Sequence, residues 1–255
     1  MTLIDTHCHL YLDDFKDDID AAILRAKEYG VQKFYLPAID SEVIDAMLQL
    51  EEKFPQNCFA MMGLHPCSVK ENYIEELKIA EEWLEKRKFV AIGEIGLDFY
   101  WDKTFVKEQY AAFECQMQWA LDSNMPIVIH TRNAMTETIN TVKPFAAQGL
   151  KGIFHCFGGT EAEARQITDM GFYLGIGGVV TYKKSGLAEV IQKIGLEFLV
   201  LETDAPYLTP VPFRGKRNES SYLKYVIEKI ADELHLPVET VAAVTTANAE
   251  KIFGS

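Results

Sequence analysis

Leu3-Ile4-Asp5-Thr6-His7-Cys8-His9 opens the chain with a short apolar strand that runs into a pair of histidines. On a strand, the side chains of residues i and i+2 leave the same face, so His7 and His9 point together and Cys8 points away. Two imidazoles so placed can bind one metal ion. The motif alone leaves a second interpretation open, in which the histidines are hydrogen-bonded beside a turn.

Further apolar runs of strand length follow, separated by stretches with helical spacing. We predict strands at 3–8, 33–37, 58–64, 90–95, 127–130, 152–155, 173–176 and 198–202. We predict helices at 17–29, 42–53, 75–88, 105–123, 134–147, 161–170, 187–194, 220–234 and 238–253. Repeated βα units with nearly continuous apolar strands indicate a parallel sheet covered by helices. About eight units in 255 residues predict an α/β fold, a (β/α)8 TIM barrel formed as one domain by residues 1–255.

Composition narrows the class of protein. The formal net charge of -13 argues against a protein that coats nucleic acid through a broad basic face, although a small anionic substrate is still allowed. The five cysteines form no CxxC pair, which is typical of a reducing cytosol. No apolar run reaches membrane-span length and no secretory signal is visible, so we expect a cytoplasmic protein without a membrane partner. No obligate protein partner is evident.

The candidate functional side chains share one position, the C-terminal end of a predicted strand. They are His7, His9, His65, Glu94, His130, His155 and Asp204. In a barrel these strand ends meet at one face, where active sites are built. Taken singly, each has a structural alternative: Glu94 could cap a helix, and His130 could donate to a backbone carbonyl. Structural histidines are not expected to concentrate at strand ends in this way.

Imidazoles combined with carboxylates suit a borderline divalent metal such as Zn²⁺, Mn²⁺ or Fe²⁺. Four candidate ligand histidines and two carboxylates exceed what one four-coordinate ion needs. We therefore predict two divalent metal ions that share Glu94 as a bridging carboxylate. Such a pair lowers the pKa of a bound water and clamps both oxygens of an in-line displacement.

At this point the residues resemble the TatD family of metal-dependent hydrolases, in the amidohydrolase superfamily. The similar segments are 5–9, 63–66, 93–98, 130–132, 155–159, 202–206, 213–219 and 245–248. The resemblance implies a deoxyribonuclease, often a 3′-5′ exonuclease, whose substrate partner is DNA. It implies that His7, His9, Glu94 and Asp204 hold one metal and that Glu94, His130 and His155 hold a second. It also implies Mg²⁺ as cofactor, beside the Zn²⁺ or Mn²⁺ that the ligand types suit.

One departure from the family pattern is visible. Asn218-Glu219 is followed by Ser220 where the family usually has proline, which predicts a looser loop and puts the substrate contacts in doubt. Among the substrate contacts, we predict a phosphate donor at His65, with a structural loop histidine as the alternative. Arg132 either reaches phosphate or pairs with a carboxylate.

Catalysis is assigned to Asp204 as general base, because a carboxylate that touches both metal and water can take the proton, together with the bridging Glu94. Lys216 and Arg217 form part of the one compact basic cluster, which is either a nucleic-acid contact or a solvated loop. Phe99, Tyr100 and Trp101 either stack on an unpaired base or cover the top of the barrel. Strand parity predicts that Glu202 is a buried structural carboxylate, and that Cys8 and Cys156 turn away from the site.

Two other functions fit the same ligands. An amide or ester hydrolase, such as a D-aminoacyl-tRNA deacylase, uses metal-activated water as a nuclease does. A non-catalytic metal or nucleic-acid binding module is the third class, although it has little use for an open water position.

Overall fold

Eight parallel strands alternate with helices in the computed structural model, which describes residues 1–254. The strands are β1 (Leu3–Asp5), β2 (Val31–Leu36), β3 (Cys58–Ala60), β4 (Ile92–Asp98), β5 (Ile127–Arg132), β6 (Gly152–Phe154), β7 (Tyr173–Ile176) and β8 (Leu199–Leu201). The helices are α1 (Ile19–Glu28), α2 (Ile44–Lys53), α3 (Tyr73–Lys86), α4 (Val106–Ser123), α5 (Met135–Ala146), α6 (Glu161–Asp169), α7 (Leu187–Ile194), α8 (Leu223–Leu234) and α9 (Val238–Phe253). The predicted (β/α)8 architecture is confirmed.

The strands pair in chain order, β1 to β3 in one parallel ladder and β4 to β8 in another. Backbone hydrogen bonds cross both seams between the two ladders. Gly93 N donates to Met62 O at 3.0 Å on one side, and Thr6 N donates to Leu201 O at 3.0 Å on the other. The eight strand ends are thereby brought to one face.

The strands are buried almost throughout, as expected for a parallel sheet covered on its outside by helices. Most predicted elements are present with ends shifted by one to three residues. β1 ends at Asp5, so His7 and His9 lie just beyond it instead of on it. α2 is preceded by a 3-10 turn whose N-cap is Asp40.

β4 continues to Asp98, three residues beyond its predicted end. Gly96 explains the extension, because its φ is +149° and a Cβ there would lie 1.9 Å from His130 O. Only glycine allows β4 to approach β5 so closely at this point. The close approach carries Asp98 to the same level as the end of β5.

Within residues 1–254, the helices include none with the length and apolarity needed to cross a membrane.

Candidate metal centre

The carboxylate of Glu94 lies at the centre of the face where the strands end. Its Oε2 is 3.1 Å from His7 Nε2 and 3.6 Å from His9 Nε2. Its Oε1 is 2.9 Å from both His130 Nδ1 and His155 Nε2. The two oxygens therefore face two different pairs of histidines, which is the arrangement that a bridging carboxylate requires.

Asp204 completes one side of this cluster. Its Oδ1 lies 3.7 Å from His7 Nε2 and 3.6 Å from His9 Nε2. Asp204 has a φ of +54°, a left-handed conformation that aspartate adopts more readily than most residues. All six side chains predicted as ligands are thus brought together by five separate parts of the chain.

The remote nitrogen of His9 fixes which ring atom faces the cluster. Tyr11 Oη donates to Pro37 O at 2.5 Å. The same hydroxyl lies 2.8 Å from His9 Nδ1, and it accepts the Nδ1 proton because its own proton is engaged. The lone pair of His9 therefore lies on Nε2, toward Glu94 and Asp204.

Carboxylates lie next to the outer ring nitrogens of His130 and His155. His130 Nε2 donates to Asp98 Oδ2 at 2.9 Å, which leaves Nδ1 to face Glu94. His155 Nδ1 lies 3.4 Å from Glu202 Oε1, and its Nε2 faces Glu94. His130 gives its outer N–H to a carboxylate while its inner nitrogen faces the site, which is typical of a metal ligand, and His155 has a carboxylate next to its outer nitrogen.

Glu202 is buried, as predicted, and it lies outside the central cluster. Its Oε1 accepts from Cys156 N at 2.5 Å. A Cβ on Gly175 of β7 would lie 2.1 Å from Glu202 Oε2, so the absence of a side chain at Gly175 makes room for this carboxylate. The glycine thereby allows the glutamate to lie next to the His155 ring.

His65 differs from the other four histidines. Its Nδ1 accepts a hydrogen bond from Cys67 N at 3.0 Å, so in the neutral ring the proton is on Nε2. Nε2 lies 3.3 Å from Glu94 Oε1. His65 Nε2 belongs by distance to a triad with Glu94 and His130, but a protonated nitrogen cannot ligate a metal. We therefore assign it as a donor.

The histidines near Glu94 and Asp204 lower the pKa values of both carboxylates. Burial opposes ionisation of Glu94, but His155, His65 and His7 outweigh it and hold the pKa of Glu94 well below its usual range. Burial likewise opposes ionisation of Asp204, but the nearby imidazoles of His9, His155 and His7 lower its pKa. Both carboxylates are therefore anionic near neutral pH, as ligands and proton acceptors must be.

The donor set fits divalent metal ions. Three triads of possible ligand atoms lie within 4.8 Å of one another, formed by His7, His155 and Asp204, by His7, His9 and Glu94, and by His65, Glu94 and His130. His7 Nε2 and His9 Nε2 lie 3.3 Å apart. Two nitrogens that face each other at that distance need either a shared proton or a cation between them and the carboxylates.

Asp5 is buried beneath this face and links β1 to two segments that follow β8. Its carboxylate accepts from Thr203 Oγ1 and from Ser220 Oγ, both at 2.6 Å. Burial raises the pKa of Asp5 to about 7 in spite of these donors. The looser loop predicted from the missing proline is not found, because Ser220 is buried and its hydroxyl anchors the segment to Asp5.

The two cysteines beside the histidines differ. Cys8 is buried with its Sγ toward Tyr35 O at 3.7 Å, as predicted for a packing residue. The strand alternation used for Cys156 does not reach it, because β6 ends at Phe154 and Cys156 has a φ of +48°. Cys156 instead lines a groove of about 800 Å³ that also includes Arg132 and lies between α5, α6 and α7.

The predicted substrate cations are placed differently from one another. Arg132 is exposed beside the cluster, with its guanidinium over the ring of Tyr100 at 4.0 Å. Arg217 is engaged within the protein, since its NH1 and NH2 donate to Asp18 at 2.6 and 2.8 Å. Lys216 is exposed, with its Nζ 5.8 Å from the Phe213 ring centroid.

The sequence model of the family described as TatD related DNase matches residues 4–254. The chain belongs to the TatD family. It is 39% identical over 252 residues to the "uncharacterized metal-dependent hydrolase YabD" of Bacillus subtilis, with 98% of each chain covered. It is 32% identical to the "3'-5' ssDNA/RNA exonuclease TatD" of Pantoea ananatis over 258 residues, which cover 99% of each chain.

A solved structure of this TatD group supports the fold. The crystal structure of YJJV, a TatD homologue from Escherichia coli K12, superposes with a TM-score of 0.93 at 30% identity, covering 99% of this chain and 98% of that one.

Some residues of the site were not singled out from the sequence. Asp98 and Tyr11 hold the outer nitrogens of His130 and His9. The signal was spacing, because Asp98 follows Glu94 by four strand residues and so shares its face. Gly175 gave no signal, since its role depends on a carboxylate that arrives from β8.

Proposed function

We propose that this chain is a metal-dependent nuclease that hydrolyses phosphodiester bonds of DNA from a 3′ end. The supporting observation is the carboxylate of Glu94, which faces one pair of histidines with each oxygen, next to a further carboxylate and the Nε2–H donor of His65. His7, His9, Glu94 and Asp204 would hold one ion, and Glu94, His130 and His155 a second. Divalent ions there would acidify a water and stabilise charge on the phosphoryl oxygens.

The side chains of this protein divide the remaining work. Asp204 touches His7 and His9 and is anionic, so it would take the proton of the attacking water. His65 Nε2–H points into the cluster and would donate to a phosphoryl oxygen. Arg132 is an exposed cation at the rim and would pair with a neighbouring phosphate.

The hydrogen-bond donors at the site favour this proposal over the deacylase. His65 beside Glu94 and Arg132 in the groove between α5, α6 and α7 offer donors suited to phosphate, whereas a deacylase needs a closed pocket with a carboxylate anchor. Mg²⁺, Mn²⁺ and Zn²⁺ all suit parts of the donor set, and we propose Mg²⁺ from the family resemblance. The cytoplasm is the proposed compartment.

A substrate panel tests the proposal. The purified chain is incubated with single-stranded DNA, single-stranded RNA, a misacylated tRNA and a simple carboxylic ester, each with added Mg²⁺, Mn²⁺ or Zn²⁺ and with EDTA. We expect metal-dependent release of mononucleotides from DNA. Turnover of the acyl substrates alone would instead support the deacylase, and metal binding without any turnover would support the binding module.

A further inference from the structure

Three exposed aromatic side chains lie on the loops that follow β4 and β8. Tyr100, Trp101 and Tyr207 are 51%, 67% and 52% exposed. Tyr100 and Trp101 come directly after Phe99, whose ring packs against the core. The barrel-covering interpretation therefore applies to Phe99, whereas its two neighbours present their rings to solvent.

The loop that carries Tyr100 and Trp101 is held rigidly. Asp98 Oδ1 accepts from Tyr100 N at 2.9 Å and from Trp101 N at 3.0 Å. The side chain of Gln109 bonds both the N–H and the C=O of Asp98. Since the other oxygen of Asp98 holds His130, the two aromatic residues are fixed relative to the metal centre. A pre-ordered loop loses little entropy when it binds a ligand.

A free cation completes this surface. The guanidinium of Arg132 lies 4.0 Å from the ring centroid of Tyr100 and 5.2 Å from that of Trp101. Among residues 1–254 it forms no salt bridge, in contrast to Arg217. The rings of Tyr100 and Trp101 meet edge to face with centroids 4.9 Å apart. Rings next to an unpaired guanidinium match a base next to its phosphate.

We propose that Trp101, supported by Tyr100 and Arg132, is the stacking platform for an unpaired nucleobase of the strand whose phosphodiester lies at Glu94. The inference rests on the proposed function and makes it more specific. In a duplex both faces of each base are covered by neighbours, whereas the base of an unpaired end offers a free face. The platform therefore selects single-stranded DNA or RNA ends over paired ones.

The test is affinity for an oligothymidylate of about twelve nucleotides, which is labelled at its 5′ end and has phosphorothioate linkages that resist cleavage. Fluorescence anisotropy is measured with the metal-bearing full chain. Trp101→Ala should weaken binding by about 5- to 100-fold, and Trp101→Phe much less, because stacking is worth about 1–3 kcal/mol per base. Tyr29→Ala is the matched control, because Tyr29 is 45% exposed but follows α1, ahead of β2 and far from the strand ends.

An oligonucleotide with abasic sites at its 3′ end gives the second arm. Wild type should bind it as weakly as Trp101→Ala does, and Trp101→Ala should lose nothing further. Equal affinity of wild type and Trp101→Ala for the intact strand would overturn the platform. So would an equal loss on a blunt duplex, or a self-association of the chain that Trp101→Ala abolishes.

Failure of the proposed function is distinguished separately. Wild type is assayed on bis(p-nitrophenyl) phosphate, a diester without a base. Hydrolysis of this diester together with an unaffected Trp101→Ala affinity rejects the platform and keeps the phosphodiesterase. No metal-dependent hydrolysis of this diester or of DNA rejects the proposed function itself.

Discussion

Glu94 on β4 and Asp204 after β8 are the two carboxylates of the metal centre, and the rim segments that follow these two strands differ in their cations. The β4 loop is aromatic, and next to it the guanidinium of Arg132 has no salt-bridge partner within residues 1–254. The β8 loop contains the one basic cluster of the chain, yet Arg217 is paired with Asp18 and Arg214 stacks on Tyr182 at 4.0 Å. A cation that is already paired is a weak candidate for a phosphate contact, whatever the local sequence charge.

The largest effect is expected at the two carboxylates of the metal centre, Glu94 and Asp204. Glu94→Gln should reduce turnover at least about a thousandfold, because the ions that it would bridge contribute several kcal/mol. Asp204→Asn should also abolish turnover. Metal analysis separates the two: Glu94→Gln should lose both ions, and Asp204→Asn should keep the ion at His130 and His155. Retention of two ions in Glu94→Gln would reject the bridge.

The next largest effects are expected at Asp98 and Glu202, the carboxylates next to the outer nitrogens of His130 and His155. Asp98→Asn and Glu202→Gln should each lower metal affinity or activity by about 10- to 100-fold, because they orient His130 and His155. The loss of metal affinity is measured by titrating each variant with metal in a calorimeter. An effect confined to melting temperature would leave them a structural role only.

Gly175→Ala should reproduce Glu202→Gln, since the added Cβ would lie 2.1 Å from Glu202 Oε2 and must displace it. The double variant should be no worse than Glu202→Gln. Gly158→Ala is the matched control, where an added Cβ meets nothing closer than Cys156 O at 4.0 Å.

Variants of Arg132 and Arg217 test directly which rim contacts the nucleic acid. Arg132→Ala should weaken binding of a single-stranded oligonucleotide by several-fold and reduce the slope of log K against log salt by about 0.7, as for one lost phosphate contact. Arg217→Ala should leave the slope unchanged and lower the free energy of unfolding by about 1 kcal/mol or less, since its pair is partly exposed. The reverse pattern would assign the nucleic-acid contact to the β8 loop.

The smallest effect concerns acid stability. The hydrogen bond from Arg217, with that from Arg25, lowers the pKa of Asp18 to about 2. Because the folded pKa is below the unfolded one, this stabilisation is present above about pH 4 and is lost as pH falls toward 2. Urea denaturation between about pH 5 and 3 should show a steeper loss in wild type than in Asp18→Asn. Parallel slopes would contradict the pairing.

Much of the fold was predictable, because apolar strands and amphipathic helices can be recognised from the spacing of their hydrophobic residues. The ends of the strands were less predictable. β1 stops at Asp5, and the next residue, Thr6, donates its backbone N–H to Leu201 O of β8. β4 runs on to Asp98 because Gly96 allows a close approach that depends on the neighbouring strand.

The cluster of predicted ligands was foreseeable, since strand-end position follows from chain order in a barrel. The roles at its margin were not. His65 is distinguished by a hydrogen bond from Cys67 N, and Arg217 by a partner nearly two hundred residues away in the chain. The exposure of Trp101 close to the partly buried Phe99 depends on where Asp98 anchors the loop.

The most direct test of the central claim is a time course on a single-stranded oligodeoxynucleotide labelled at its 5′ end, with wild type and Glu94→Gln side by side. The account predicts that wild type with Mg²⁺ or Mn²⁺ yields a ladder that shortens one nucleotide at a time. EDTA or Glu94→Gln should leave the strand intact. A ladder of equal rate in Glu94→Gln, or no cleavage by wild type with any divalent metal, would contradict it.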